Sequence, residues 1–166
     1  MLIDRDSCRS RLYQVLKLLP EFGGEVDKPL SGKKVLVVED ENLLQKIATA
    51  ILSRLGVTIE ISNNGHEALQ TVSKALEDQR TSESPPSLPY DYIFMDFQMP
   101  VMDGIAATRR IREEEAKYGV HIPIFAVSAH TDGPEIQQMK QAGVAYNLSK
   151  PLNIAKLTEF LSSFEI

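Results

Sequence analysis

Five polar residues stand at the ends of apolar runs in this sequence. Glu39 and Asp40 follow KVLVV, Asp96 follows YIFM, Ser128 follows IPIFAV, and Lys150 follows VAYNLS. An acid at the end of a buried run is costly unless a cation or a chemical task accounts for it. Three acids brought together repel, so one is protonated or a cation binds between them. Oxygen donors of this kind suit a hard, octahedral ion such as Mg²⁺. With a cation present, Asp96 stays ionised and can act as a nucleophile toward a phosphoryl group. The metal and Lys150 would neutralise the oxygens of that group, and Ser128 could donate a hydrogen bond to another of them.

This chemistry requires that the five residues meet. From Lys33 onward, short β-branched runs alternate with segments of helical periodicity. KVLVVE is a strand, NLLQKIATAILSRLG a helix stopped by Gly56, and VTIEIS an alternating strand. HEALQTVSKALED is a helix introduced by the Asn63-Asn64-Gly65 turn, and QRTSESPPSLP, residues 79–89, is a long loop. YDYIFMD, IPIFAVSA and VAYNLS are the remaining strands. They alternate with the helices GIAATRRIREEEAKYG, PEIQQMKQAG and NIAKLTEFLSSF, the first of them capped by Asp103. Strands alternating with helices predict an α/β domain with a parallel, doubly wound sheet. The strands are apolar on both faces, as helices on both sides require. In such sheets the carboxyl ends of the strands share one edge, where ligand chemistry sits. All five residues fall there.

The chain has 166 residues, 43% of them hydrophobic and 25% charged, which fits one domain with an appendage. Residues 1–32 read as that appendage. RSRLYQVLKLLPEF places Leu12, Val15, Leu16 and Leu19 on one helical face, and FGGEVDKPLSGK is a linker. Residues 33–166 form the domain. A net charge of -5 argues against nucleic acid as a partner. One cysteine, Cys8, forms no internal disulfide and fits a reducing compartment, the cytoplasm. No apolar run is long enough to span a membrane, so no membrane contact by this chain is expected. His66, His121 and His130 lack metal-ligand spacing and read as surface residues, which argues against this chain as a phosphohistidine donor. The Glu113-Glu114-Glu115 run reads as a solvated helix face.

VLVVEDE, MDFQMPVMDG, VSA and SKP, in this order, resemble the motifs of the receiver domain of two-component response regulators. The resemblance covers about residues 33 to 164. PLSGKKVLVVED is similar to the linker that leads into the C-terminal receiver of hybrid sensor histidine kinases. The resemblance implies a flavodoxin-like (βα)5 fold with five parallel strands in the order 2-1-3-4-5. It implies that Asp96 takes a phosphoryl group from a phosphohistidine of a histidine kinase domain, in cis or in trans, and relays it to a histidine phosphotransfer protein. It also implies that Asp40, Asp96 and the backbone carbonyl of Gln98 bind Mg²⁺, with Glu39 helping through water. Lys150 would pair with the phosphoryl group, Ser128 would turn toward it, and the Lys150–Pro151 bond would be cis. The partner surface implied is the first helix, with Leu43, Leu44 and Ile47, together with the loop after Lys150. A monomer is expected.

Two features depart from the family. The residue three before the lysine is usually an aromatic that turns inward on activation, and here it is Asn147. The loop at 79–89 is longer than usual. Asn147 keeps open a degenerate receiver that only binds proteins. An aspartyl-phosphate phosphatase of the haloacid-dehalogenase type also uses a strand-end aspartate and Mg²⁺, but it needs a second acid where this chain has Gln98.

Overall fold

The computed structural model describes residues 28, 30–82, 87–130 and 132–164. The N-terminal helix expected around 9–22, Cys8, and the serine and prolines at 84–86 lie outside the described residues. Among the described residues, five strands alternate with five helices: β1 Lys34–Val38, α1 Asn42–Arg54, β2 Thr58–Ser62, α2 Gly65–Thr81, β3 Tyr92–Asp96, α3 Gly104–Ala116, β4 Ile124–Ser128, α4 Pro134–Ala142, β5 Tyr146–Ser149 and α5 Ile154–Phe164. All strand pairs are parallel and their order is β2-β1-β3-β4-β5. The α/β fold expected from the alternating pattern is the one observed. Among the described residues, no helix is long and apolar enough to cross a membrane.

The period of two along each strand divides the core into two layers. Val35, Val37, Phe94, Phe125 and Leu148 pack under α1 and α5, against Leu52, Leu157 and Phe160. Leu36, Val38, Ile93, Met95 and Ile124 pack on the opposite face, against Ala68, Val72 and Ile111 of α2 and α3. Phe125 is fully buried and its ring meets those of Tyr92, Phe94 and Phe160. Burying one such side chain stabilises the fold by about 1.5–3 kcal/mol.

The same alternation positions the chemistry. Glu39 continues the Val35, Val37 series, Asp96 the Phe94 series and Lys150 the Leu148 series. All three therefore leave the sheet on the α1/α5 face. Ser128 continues the Ala126 series and leaves on the α4 face, as does Asn147, whose Cα pairs with that of Ala126.

Local signals act as expected at several boundaries. Asp103 caps α3 by accepting from the Ala106 N–H at 2.8 Å, and Gly143 ends α4 in the left-handed region. Helix α2 runs to Thr81, so the first residues of the expected 79–89 loop are helical. Its N-cap is Asn64, which accepts from the Glu67 N–H at 2.9 Å. Leu30 is buried in the α1/α5 layer and its N–H donates to the Leu55 carbonyl, so packing begins just before residue 33.

Candidate functional site

Asp96 ends β3 at the point where the chain order reverses, between β1 and β3. An open parallel sheet leaves a crevice there. Its carboxylate is buried. Oδ1 accepts from Lys150 Nζ at 2.9 Å and from the Gln98 backbone N–H at 3.3 Å. Oδ2 is also buried and makes no hydrogen bond. Lys150 Nζ lies 3.4 Å from Glu39 Oε2, and Glu39 Oε1 accepts from the Glu41 N–H at 3.1 Å. Lys150 follows β5, where its N–H donates to the Ser128 carbonyl and the Lys150–Pro151 peptide is cis.

Two buried acids around one ammonium make a strongly biased site. Burial pushes the Glu39 carboxyl up to about 7, and the charge of Asp96 pushes the same way against the Glu41 N–H and Lys150. Burial also raises Asp96, and the contact with Lys150 opposes it. For Lys150, burial alone would lower the pKa, but Asp96 and Glu39 outweigh it and the ammonium is held charged. Asp40 stands beside the pair, so three carboxyl groups share one ammonium. Asp40 is not used as a cap: the N-cap of α1 is Glu41, and it makes no side-chain capping bond. Glu39, Asp40 and Asp96 each offer an oxygen within 4.8 Å of the others. Such a cluster could hold a metal ion.

The loop after Asp96 is tightly fixed. The Met102 N–H donates to the Pro100 carbonyl at 2.8 Å, with Val101 between them at φ 69°. That turn is rare and strained for a β-branched residue. Gly104 opens α3 against β3, and a Cβ there would collide with the Asp96 carbonyl oxygen. The glycine is thus a condition for placing Asp96, beyond starting a helix. Sequence reasoning missed this, although the adjacency of Asp103-Gly104 to the aspartate was its visible trace.

Glu39, Asp40, Asp96 and Lys150 are brought together. Gln98 joins through its backbone, and its side chain is exposed. Ser128 reaches the same edge, but its hydroxyl faces the His130 carbonyl and Asn147 Oδ1, and is not bonded to Asp96.

A family model for the response regulator receiver domain matches residues 35–162. The chain belongs to that family. This receiver domain is 44% identical over 150 residues to Probable histidine kinase 2 of Oryza sativa subsp. indica, across 89% of this chain and 14% of the relative. It therefore spans a small part of the curated relatives it matches. The receiver domain of the histidine kinase CKI1 from Arabidopsis thaliana, complexed with Mg²⁺, superposes on it with a TM-score of 0.79 at 45% identity, covering 84% of this chain and 96% of that one. The same Arabidopsis domain complexed with Mg²⁺ and BeF₃⁻ gives a TM-score of 0.76 at 45% identity, covering 83% and 95%.

Away from the site, the receiver domain corrects one expectation. Glu115 is buried rather than part of a solvated face. It accepts from Arg112 Nη1 at 2.6 Å and from the Ile122 N–H at 2.7 Å, while Arg112 also donates to the Gly143 carbonyl. This group ties α3 to the strand entries of β4 and β5. A run of three glutamates gives no sign of it, because the partners come from other elements.

Proposed function

We propose that this domain is a phosphoacceptor in a two-component phosphorelay. Asp96 takes a phosphoryl group from the phosphohistidine of a histidine kinase domain, in the same chain or another, and delivers it to a histidine phosphotransfer protein. The observation that carries this reading is the Asp96 carboxylate: Oδ1 is anchored by Lys150 and the Gln98 N–H, while Oδ2 is buried without a partner. An oriented, ionised carboxylate is a nucleophile for phosphorus. An Asp96 oxygen bonds to phosphorus, the phosphorus–nitrogen bond breaks, and the imidazole leaves with the electron pair. Lys150 accompanies the charge on the transferred oxygens.

The residues present fit Mg²⁺. Hard carboxylate oxygens and an unbonded Oδ2 are the donors this ion takes. Asp40, Asp96 and the Gln98 carbonyl would hold it, with Glu39 acting through water. When bound, it supplies positive charge against the phosphoryl oxygens and the crowded acids.

The similarity to histidine kinases supports an origin in a hybrid histidine kinase, whose kinase and transferase activity would belong to another part of the parent chain. Within this sequence, residues 1–32 would serve as helix and linker and 33–166 as the receiver, a cytoplasmic monomer with no contact of its own to nucleic acid or membrane. The test is a phosphate chase. A histidine kinase domain autophosphorylated with labelled ATP should pass label to this domain, and adding a histidine phosphotransfer protein should draw it off. Label that stays on the kinase would refute the relay.

A further inference from the structure

Ser128, His130 and Asn147 form a closed polar group at the α4 side of the site. The Ser128 hydroxyl is placed to donate to the His130 carbonyl and lies 3.1 Å from Asn147 Oδ1. Asn147 Nδ2 donates to the same His130 carbonyl at 3.1 Å. The amide cannot simply be turned over. Flipping it would face Oδ1 to the His130 carbonyl, acceptor against acceptor, so that carbonyl fixes the orientation. Asn147 therefore presents an acceptor, and not a donor, to Ser128. Tyr146, the neighbouring side chain, leaves β5 on the other face and packs its ring against Phe160, 4.5 Å between centroids. It takes no part in the group.

A hydroxyl has one proton to donate. In the structure both acceptors facing that proton, Asn147 Oδ1 and the His130 carbonyl, draw it away from Asp96. A Ser128 hydroxyl that donates to a phosphoryl oxygen on Asp96 must leave them both. We infer that Asn147 is a positioning residue, an amide latch that holds the Ser128 hydroxyl off the phosphoryl site and weakens the phosphorylated state relative to a domain without it. This rests on the phosphoacceptor reading of Asp96. It adds that the residue at this position acts on Ser128 by direct hydrogen bonding, without filling or vacating an apolar slot. The nearer acceptor, the His130 carbonyl, still holds the hydroxyl when the amide is gone, so the effect should equal part of one neutral hydrogen bond, about a two- to fourfold change in affinity for a phosphoryl mimic.

The test is a double-mutant cycle on the folded domain, read by ¹⁹F NMR titration of beryllofluoride at saturating Mg²⁺, with Mg²⁺ affinity measured separately. Asn147→Leu should bind beryllofluoride about two- to fourfold more tightly than the wild type. In a Ser128→Ala background the same substitution should change nothing, and Mg²⁺ affinity should be the same in all four proteins. Asn147→Ala, which puts less strain on β5, should repeat the result if the leucine disturbs folding. Equal or weaker binding by both variants would overturn the inference, as would the same gain with and without Ser128. A wild-type domain that binds no beryllofluoride would overturn the phosphoacceptor reading and this inference with it. Binding without a Ser128-dependent difference would overturn this inference alone.

Discussion

Lys150 Nζ lies 2.9 Å from Asp96 Oδ1, which places the ammonium against the carboxylate proposed to accept phosphate. An ammonium in that place would serve the charge that develops on a transferred phosphoryl group, and it would also oppose any second cation at the acids. Lys150→Ala should therefore separate two properties. Phosphorylation by acetyl phosphate should slow by about 10²-fold or more, the usual effect of removing one charge-stabilising donor. Mg²⁺ binding, by titration, should be retained or strengthened. Loss of both would mean that Lys150 holds the fold of the site.

Metal affinity should depend on the acids unequally and on pH. Asp40→Ala should weaken Mg²⁺ binding more than Glu39→Ala, because Asp40 would be a direct ligand and Glu39 would act through water. The folded Glu39 titrates near 7, above its ordinary value of 4.5. Its contribution to metal-free stability is complete below about 4.5 and is lost as pH rises toward 7. Binding a cation requires the ionised form. Mg²⁺ affinity should accordingly climb between pH 5 and 7 and then level, while the metal-free melting temperature falls over the same window. Glu39→Gln should flatten the part of both trends due to this group, as calorimetry at a series of pH values would show.

Gly104→Ala tests how β3 is held. The added Cβ meets the Asp96 carbonyl oxygen, so the helix or the strand end must shift. A loss of about 1–3 kcal/mol in urea unfolding is expected, with slower acetyl-phosphate labelling because Asp96 moves. Wild-type stability would show that the loop yields freely.

Leu43 is 67% exposed on the first turn of α1, next to Leu44 and Ile47, which line a slot with Phe94, Asp96 and Lys150. Leu43→Asp should cost little stability, since the side chain is already in water. It should slow transfer to a histidine phosphotransfer protein while leaving acetyl-phosphate labelling unchanged. A fall in both rates would place the damage inside the domain.

The strand-end acids, Ser128 and Lys150 were legible in the sequence because a parallel sheet turns one-dimensional position into a shared edge. Period-two alternation then put Glu39, Asp96 and Lys150 on one face. What was not legible depended on partners distant in the chain. Glu115 looks solvated until Arg112 and the Ile122 N–H close on it. Gly104 looks like a helix start until α3 docks on Asp96. The position of Asn147 was readable as a departure from the family, but its bonds to Ser128 and the His130 carbonyl required β4 and β5 in register.

The central claim is that Asp96 accepts the phosphoryl group, and intact mass spectrometry after incubation with acetyl phosphate and Mg²⁺ tests it most directly. The wild-type domain should gain the mass of one phosphoryl group, lose it on standing, and gain none without the metal. Asp96→Asn, which keeps the size of the side chain and removes the nucleophile, should gain none under any of these conditions. An Asp96→Asn domain labelled to the wild-type extent would contradict the account.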